Sequence, residues 1–396
     1  MTMNKILIFC PCAPYCGAES LVTLKLVKLL LEWRYDVKLI YHQKHQDVIP
    51  KEDPLGVLPS CMGIVAGEGH IGNLIWCIKS LWTALHLKWE FKLVISRAMP
   101  FYAHIPALLL KLIKPCKWLV NWSDPYPQII APKPYGKGKE CKIPRFQSWL
   151  TTFISKKADW ITFPSPRLME WVSNRFSLVQ AKSSVFPHIM LEGELKKITN
   201  NICIHNNCLA LVYAGSLTKR NPEIILQALQ RLQQKKGTLQ LMITFIGARD
   251  NVFEQKISQY GLDKYIKCLG PRTYADTCSI IAQSDIALLL EAPCEEGIFL
   301  SSKLLDYLQF AKPIFSISPF PGMMSDLLKK YGGGLYANCV EIEDIENKFE
   351  QLLTSWQQGQ LTIDYNVTNL RNNFSVITAQ KCWREILANI SMSIND

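Results

Sequence analysis

One cluster in the second half of the chain has residue types suited to a phosphorylated ligand. Gly215 and Ser216 end a short apolar run, and Lys219 and Arg220 follow just before a helical pattern. Glycine lets a ligand approach the backbone, and two cations suit a departing diphosphate, whose negative charge grows as its bond to carbon breaks. We predict phosphate contact here, with both cations as catalytic candidates that the spacing does not separate. A solvated basic turn is the alternative.

A second cluster lies some eighty residues further along the chain. Ser301 is a suitable N-cap for a helix in which the amides of Ser302 and Lys303 would be free donors at a positive dipole end. Asp306, about one turn further, has a carboxylate that could accept hydrogen bonds from ribose hydroxyls, and Glu296 precedes the helix. We predict donor binding by these residues. The alternative is an ordinary capped amphipathic helix with Asp306 exposed.

The first half of the chain offers three further candidates. Gly17 lies in a loop between the first apolar run and the first helical pattern, where a backbone approach to a ligand or a tight turn are both possible. Asp124 follows another apolar run, and it could orient or deprotonate an acceptor hydroxyl or only cap a turn before Pro125. His104, at the start of the preceding helical pattern, is a candidate for the same chemistry.

Two successive arrays of strands and helices must position these residues. Apolar runs of strand length alternate with helical patterns from residue 5 to about 190, stop in a polar stretch, and restart at residue 209. Such alternation predicts parallel sheets, and here two facing Rossmann-like domains with the ligands in a central cleft. We predict an N-terminal domain over 1–190, a linker over 191–207, a C-terminal domain over 208–375, and a helix in 376–396 that packs back on the N-terminal domain.

The charge of the chain is unevenly placed. Residues 1–200 hold 26 Lys and Arg against 14 Asp and Glu, whereas residues 201–396 hold 18 against 19. The stretch 111–157 is the most basic, and it is interleaved with Trp118, Trp122, Tyr126, Tyr135 and Trp149. Amphipathic rings and cations suit a membrane surface, although a solvated basic face is equally consistent with them. No apolar run approaches the roughly 20 residues of a membrane span, so we expect a cytoplasmic protein, either free or peripheral on the inner face of the cytoplasmic membrane.

The cysteines and the remaining glycines indicate no metal or dinucleotide site. The 14 cysteines are scattered and lack paired CxxC motifs, so we expect buried thiols and no metal. Gly67, Gly69 and Gly72 form a GxGxxG pattern, but no clear strand of the first βαβ unit precedes it, and we interpret it as a loop. We therefore expect no cofactor, and an NAD-dependent oxidoreductase is a minor alternative.

Several motifs, in order, resemble those of the GT-B glycosyltransferases called family 4 or glycosyl transferases group 1, in particular bacterial surface-polysaccharide members. They are Ser96-Arg97-Ala-Met-Pro100-Phe-Tyr-Ala-His104, Asn121–Pro125, Ala158–Phe163, Phe186-Pro187-His188, Gly215–Pro222 and Ser302-Lys-Leu-Leu-Asp-Tyr-Leu. The resemblance covers nearly the whole chain.

This resemblance implies a metal-independent, retaining transfer of a sugar from a nucleotide-sugar donor to a saccharide or lipid-linked acceptor. It places the donor on the C-terminal domain and the acceptor on the N-terminal one. The basic pair of the family falls on Lys219 and Arg220, and its ribose-binding acid on Asp306. Eight residues before Asp306, where the family has its first Glu, this chain has Ile298. Glu296 is near enough to replace that Glu.

The absent Glu leaves a second reading open. A non-catalytic protein that binds a nucleotide, a sugar or a nucleic acid through a decayed site would fit it. We favour the enzyme, and expect no nucleic-acid partner.

Overall fold

The computed structural model describes residues 5–12, 17–43, 55–191, 207–247 and 249–392. The chain divides into two compact units. The first contains residues 1–131, 137–189 and 376–396, and the second contains residues 132–136 and 190–375. Most of the predicted linker, residues 192–206, lies outside the described residues.

The first unit is built on a seven-stranded sheet whose paired strands are all parallel. Its strands are β1 (Lys5–Phe9), β2 (Asp36–Gln43), β3 (Cys61–Val65), β4 (Leu93–Ala98), β5 (Lys117–Trp122), β6 (Trp160–Phe163) and β7 (Ser183–Val185). Their order across the sheet is β3-β2-β1-β4-β5-β6-β7. The chain therefore runs outward from β1 in one direction and from β4 in the other.

Helices connect these strands. They are α1 (Gly17–Glu32), α2 (Gly69–His86), α3 (His104–Ile113), α4 (Arg145–Lys157), α5 (Pro166–Ser173) and α6 (Ser177–Gln180), with short 3₁₀ turns at Leu58–Ser60, Phe101–Ala103 and Gln128–Ile130. The central strands β1, β4 and β5 are almost fully buried. This explains their near-continuous apolar sequences, because a parallel sheet covered on both faces has no solvent side.

The second unit repeats the plan with six parallel strands in the order β10-β9-β8-β11-β12-β13. The strands are β8 (Leu209–Ala214), β9 (Leu241–Ile246), β10 (Ile266–Cys268), β11 (Ile286–Leu290), β12 (Ile314–Ser318) and β13 (Gly334–Asn338). The helices are α7 (Glu223–Lys236), α8 (Asn251–Gln259), α9 (Tyr274–Gln283), α10 (Ser302–Gln309), α11 (Met323–Tyr331), α12 (Ile342–Gln357), α13 (Leu361–Asp364) and α14 (Thr368–Asn373). Two apolar clusters, one on each side of this sheet, hold it between the helices.

The last helix, α15 (Val376–Asn389), belongs to the first unit. Its Trp383 is 2% exposed and donates a hydrogen bond from Nε1 to the hydroxyl of Tyr35, 3.2 Å away. The same indole lies 6.0 Å from the ring of Phe186. A buried aromatic cluster thus fixes the end of the chain to the unit in which it begins.

The GxGxxG segment is a correction to the sequence analysis. Strand β3 ends at Val65, two residues before Gly67, and α2 begins at Gly69, so the segment is a strand-to-helix junction and not a simple loop. A side chain at Gly72 would collide with the backbone carbonyl of Gly67, which explains that glycine by close packing. Because β3 is the edge strand, this junction lies far from the point where the strand order reverses.

Candidate active site

Each sheet has one point where the strand order reverses, between β1 and β4 in the first unit and between β8 and β11 in the second. Open parallel sheets bind ligands at the carboxyl ends of the strands beside this point. Most of the predicted site residues lie there, and we describe the two units in turn.

In the first unit, an ion pair crosses the reversal point. Glu19 lies in the first turn of α1, after β1, and Arg97 lies near the end of β4. Nε and a terminal nitrogen of Arg97 are 3.1 and 2.9 Å from Oε1 of Glu19. The side chains are 3% and 14% exposed for Arg97 and Glu19 respectively, so the pair is shielded from water.

Asp124 follows β5 and lies close enough to raise the pKa of Glu19. Burial is the main cause that raises the pKa of Glu19 to about 7, against the opposing effects of Arg97 and the Ser123 hydroxyl. Burial also raises the pKa of Asp124 to about 6. Two carboxyl groups with raised pKa values, next to one arginine, can accept a proton near neutral pH.

His104, predicted as a catalytic candidate, lies in the core of the first unit. It is 0% exposed; its Nδ1 is 2.8 Å from Ser96 Oγ, and its Nε2 accepts a hydrogen bond from Trp122 Nε1 at 3.1 Å. Because Nε2 is an acceptor, the ring is neutral and its proton is on Nδ1, donated to Ser96. Burial lowers the pKa of His104 to about 3. The ring joins β4, β5 and α3 and has no solvent-facing nitrogen.

Gly17 is the first residue of α1, and its φ is +74°. This left-handed conformation favours glycine even though nothing lies within 4 Å of the position that a Cβ would occupy. The four residues before it, 13–16, lie outside the described residues.

In the second unit, Arg220 crosses the reversal point. It follows β8, and its Nε donates a hydrogen bond to the carbonyl oxygen of Leu290, the last residue of β11, at 2.8 Å. Glu291 comes next in the chain, where its charge interacts with Arg220 and Lys303. Burial outweighs these cations and raises the pKa of Glu291 to about 7.

Lys303 lies in the first turn of α10 and reaches back to β8. Its ammonium donates a hydrogen bond to the Tyr213 hydroxyl at 3.0 Å and lies 4.3 Å from the centre of that ring. Gly215 has a φ of +133°, and a Cβ there would collide with the Lys303 ammonium. Burial, then the charge of Arg220, lowers the pKa of Lys303 to about 7, while Glu291 opposes the shift.

Lys219 and Ser216 occupy the exposed side of the same turn. Lys219 has a φ of +65°, and its ammonium lies 4.9 Å from the ring of Tyr135, a residue of the second unit. The hydroxyls of Ser216 and Thr218 are 2.7 Å apart, and Ser216 Oγ accepts a hydrogen bond from the Thr218 amide. The two predicted cations are thus separated by structure, because Arg220 is fixed against β11 while Lys219 stays at the surface.

Asp306 lies on α10 and is partly buried. Its Oδ1 accepts a hydrogen bond from the hydroxyl of Tyr274, the first residue of α9, at 2.8 Å. Burial and the Asp306 charge raise the pKa of Tyr274 well above its usual value, so the phenol remains a donor. The carboxylate is therefore held in a fixed orientation.

The start of α10 agrees with the predicted boundary, but not with the predicted cap. Ser301 occupies the N-cap position, but its side chain accepts no hydrogen bond from a backbone amide of the helix, and Ser302 begins the helix. Glu296 is half-buried in the connection from β11 to α10. It is followed by Gly297, which forms a β-bridge with Gly322.

Sequence reasoning assigned no role to Glu19, Arg97, Glu291, Tyr213 or Tyr274. A signal existed for three of them, because Glu19 follows the Gly17 loop and Arg97 and Glu291 stand at the ends of buried strands. Nothing in the sequence indicated that Tyr213, inside an apolar strand, would meet a lysine ninety residues away.

Comparison with known proteins agrees with this geometry. Residues 204–368, most of the second unit, match the family model of glycosyl transferases group 1. A search of curated protein sequences finds no match.

Solved structures match over nearly the whole chain. They include HepE of Anabaena, solved with UDP and glucose (TM-score 0.68, 14% identity, 97% of this chain and 99% of that chain). Sucrose-phosphate synthase of Thermosynechococcus elongatus has a TM-score of 0.71 at 12% identity, covering 97% and 99%. The lipopolysaccharide outer core galactosyltransferase WaaB has a TM-score of 0.62 at 12% identity, covering 98% and 99%. These structures confirm the prediction of two Rossmann-like domains of the GT-B type, and the match over residues 204–368 agrees with the predicted family, glycosyl transferases group 1.

Proposed function

We infer that this chain, a group 1 glycosyltransferase by its second unit, moves a sugar from a nucleotide-sugar donor to a saccharide or lipid-linked acceptor. The observation that carries the proposal is the pair of cations, Arg220 and Lys303, at the reversal point of the unit that matches the family. HepE, a protein of similar fold, was solved with UDP-glucose, which supports a nucleotide-sugar donor.

On the donor side, we propose that the diphosphate binds to Arg220 and Lys303, with Lys219 at its exposed edge. When the bond between the anomeric carbon and the phosphate oxygen breaks, the electron pair stays on the diphosphate, and these cations neutralise it. In the second unit, the backbone at Gly215 and Ser302 would let the diphosphate approach closely. Because the protein supplies this positive charge itself, we propose transfer without a metal or cofactor, to be tested by full activity in excess chelator.

The ribose of the donor would bind to Asp306. Its carboxylate is oriented by the Tyr274 hydroxyl 2.8 Å away, so little side-chain entropy remains to be lost on binding. For the sugar-facing acid, Glu291 is a stronger candidate than Glu296 because its charge acts on both Arg220 and Lys303. It would take the place of the Glu that the family pattern lacks here.

On the acceptor side, we propose that Asp124 accepts the proton of the attacking hydroxyl while the acceptor oxygen forms its bond to the anomeric carbon. The raised pKa of Asp124, about 6, suits a base that works near neutral pH. Retention of the anomeric configuration is part of the proposal, and the coupling constant of the product's anomeric proton tests it.

The biological role proposed is surface polysaccharide biosynthesis at the cytoplasmic face of the membrane. WaaB, a lipopolysaccharide galactosyltransferase of similar fold, supports the class of acceptor. The basic first half of the chain would meet an acceptor on a lipid carrier there. No helix in the described part of the chain is long and apolar enough to cross a bilayer.

A thermal-shift panel of nucleoside diphosphates and nucleotide sugars, followed by donor hydrolysis, tests the proposal. A ligand at 100 times its dissociation constant should stabilise the protein by about 2.7 kcal/mol.

The variant Lys219→Ala/Arg220→Ala should lose donor turnover. The control Lys235→Ala/Lys236→Ala, which changes a basic pair at the end of α7, should keep it. A flat panel would contradict the proposal. Stabilisation with no turnover of any donor, or salt-dependent binding of nucleic acid, would favour the non-catalytic alternative.

A further inference from the structure

Three helices lie side by side on one face of the first sheet. The crossovers from β3 to β4, β4 to β5 and β5 to β6 all advance in the same direction across the sheet, and right-handed connections place their helices on one side. Helices α2 and α3 pack against each other, and α3 packs against α4. Their outward surfaces form one continuous layer, which we name the α2–α4 face.

Helix α2 carries an apolar stripe on this outward surface. Ile71, Leu74, Ile75, Ile78 and Trp82 recur at helical spacing and are 76%, 59%, 37%, 61% and 62% exposed. The opposite side of the helix buries other residues against the unit. A surface helix normally places polar residues outward, whereas α2 exposes these apolar side chains.

The stripe continues on the neighbouring helices. Leu109, Leu112 and Ile113 of α3 are 40%, 52% and 60% exposed, and Phe146 and Trp149 of α4 are 68% and 56% exposed. Of the 17 large apolar side chains exposed in the described residues, these three helices hold ten. Contiguous exposed apolar surface of this kind marks an interaction site.

The charges on these helices have one sign. Helices α2, α3 and α4 contain no Asp or Glu. They contain Lys79, Lys111, Arg145, Lys156 and Lys157, of which Lys111 forms an ion pair with Asp159. An apolar stripe with this excess of cations is complementary to an anionic phospholipid surface.

We propose that the α2–α4 face docks on a bilayer leaflet that contains anionic phospholipid. Helix α2, about 27 Å long by its 18 residues, would lie in the plane of the interface with its stripe among the acyl chains. The cations would lie at the level of the phosphates. Protein partners are less well matched, since helices without Asp or Glu offer little pairing for a mixed-charge surface, and Asp159 beside α3 is already paired with Lys111.

The proposed membrane contact uses few of the aromatic residues in the stretch 111–157 that were predicted to meet a membrane surface. Trp118 and Trp122 are 0% exposed and cannot reach a lipid. Of that group, Trp149 is on the α2–α4 face, and α2 lies outside the stretch that sequence reasoning singled out. The choice of the cytoplasmic leaflet rests on the proposed function. Lipid binding is measured without turnover, so an experiment can contradict lipid binding without contradicting the proposed function, and the reverse.

Vesicle co-sedimentation of the full chain tests the proposal. The protein should bind vesicles of phosphatidylcholine with phosphatidylglycerol more tightly than phosphatidylcholine alone, and binding should weaken with salt. Ile78→Glu/Trp82→Glu should reduce affinity about tenfold or more, because both charges would enter the apolar layer. Lys156→Glu/Lys157→Glu should reduce binding only to the anionic vesicles.

The matched control is Ile363→Glu/Ile377→Glu, since these side chains are 68% and 80% exposed but lie on α13 and α15. It should bind vesicles as the wild type does. If Ile78→Glu/Trp82→Glu has a lowered unfolding midpoint, Ile78→Ser/Trp82→Ser replaces it and should give a smaller loss in the same direction. Equal binding by wild type and both α2 variants overturns the proposal, as does a wild type that ignores anionic vesicles. A dimer that the α2 variants dissociate would assign the face to a second copy instead.

Discussion

Arg97 and Glu19 form a shielded ion pair across the point where the strand order of the first sheet reverses, with two guanidinium nitrogens 2.9 and 3.1 Å from one carboxylate oxygen. In a sheet of this order, β1 and β4 are neighbours although their sequences lie more than eighty residues apart. The pair therefore fixes the distance between α1 and β4, the strand next to β5, which Asp124 follows. Removing the pair should lower both the free energy of unfolding and the rate of turnover.

We expect Glu19→Ala to lower the free energy of unfolding by about 3 kcal/mol, because it leaves a buried guanidinium without a counter-charge. Urea unfolding followed by circular dichroism measures this. Glu350→Ala is the control, since it breaks an ion pair whose partners are 45% and 42% exposed, and it should cost less than about 1 kcal/mol. A similar cost for the two variants would show that the Glu19–Arg97 pair is not shielded.

Gly215→Ala should weaken nucleoside diphosphate binding, since the new methyl group would occupy the space of the Lys303 ammonium. Gly237 also has a positive φ, +76°, but a Cβ there meets nothing within 4 Å. Gly237→Ala should therefore destabilise the fold by about 1 kcal/mol and leave ligand affinity unchanged. Titration calorimetry on both variants checks this, and unchanged affinity in Gly215→Ala would remove Lys303 from the donor site.

Binding of a nucleoside diphosphate should be coupled to proton uptake. With its pKa lowered to about 7, Lys303 is mostly neutral at pH 8 in the free protein, and a bound anion would favour its charged form. The binding enthalpy should then vary with the ionisation enthalpy of the buffer, in the direction of uptake of about one proton.

The affinity of wild type for diphosphate should accordingly fall as pH rises above 7. Lys303→Met should abolish the buffer dependence, and Lys235→Met, at an exposed position of α7, should retain it. If wild-type binding has the same enthalpy in all buffers, Lys303 does not take up a proton when the ligand binds.

His104→Ala should destabilise the protein by about 2 kcal/mol or more, since it leaves the Trp122 indole and the Ser96 hydroxyl without a shared partner in the core. The pH dependence of donor turnover should keep the wild-type shape, measured below the unfolding temperature. A changed pH profile with unchanged stability would return His104 to the catalytic residues.

The sequence was a good guide to the fold wherever apolar runs were continuous. Strand β11 has five apolar residues in succession, and in β5 only Asn121 interrupts the apolar residues after Lys117. The two arrays predicted to begin at residues 5 and 209 begin there in β1 and β8. Strand β3, Cys61–Val65, was missed because it lies at the sheet edge, is partly exposed and contains a glycine. The segment 132–136 was not predicted to belong to the second unit, since nothing local marks a change of unit.

The site was predictable only as far as strand ends could be located. Arg220, Lys303 and Asp306 were predicted because they follow a buried strand or lie in the first part of a helix. Their partners were not predicted, because the contacts of Tyr213 with Lys303 and of Tyr274 with Asp306 depend on how separate helices meet the sheet. The burial of His104 was not predictable either. A histidine at a helix start has the same sequence context whether its ring faces a ligand or, as here, Ser96 and Trp122 in the core.

The aromatic cluster of Trp383, Tyr35 and Phe186 has a consequence for synthesis. The first unit begins at the N-terminus but needs α15, more than three hundred residues later, to complete its core. The second unit is almost contiguous, from residue 190 to 375. On the ribosome, the second unit can therefore finish folding first. The first unit, although translated earlier, cannot complete its core until α15 is made, and until then the apolar surface that α15 covers is open to chaperones.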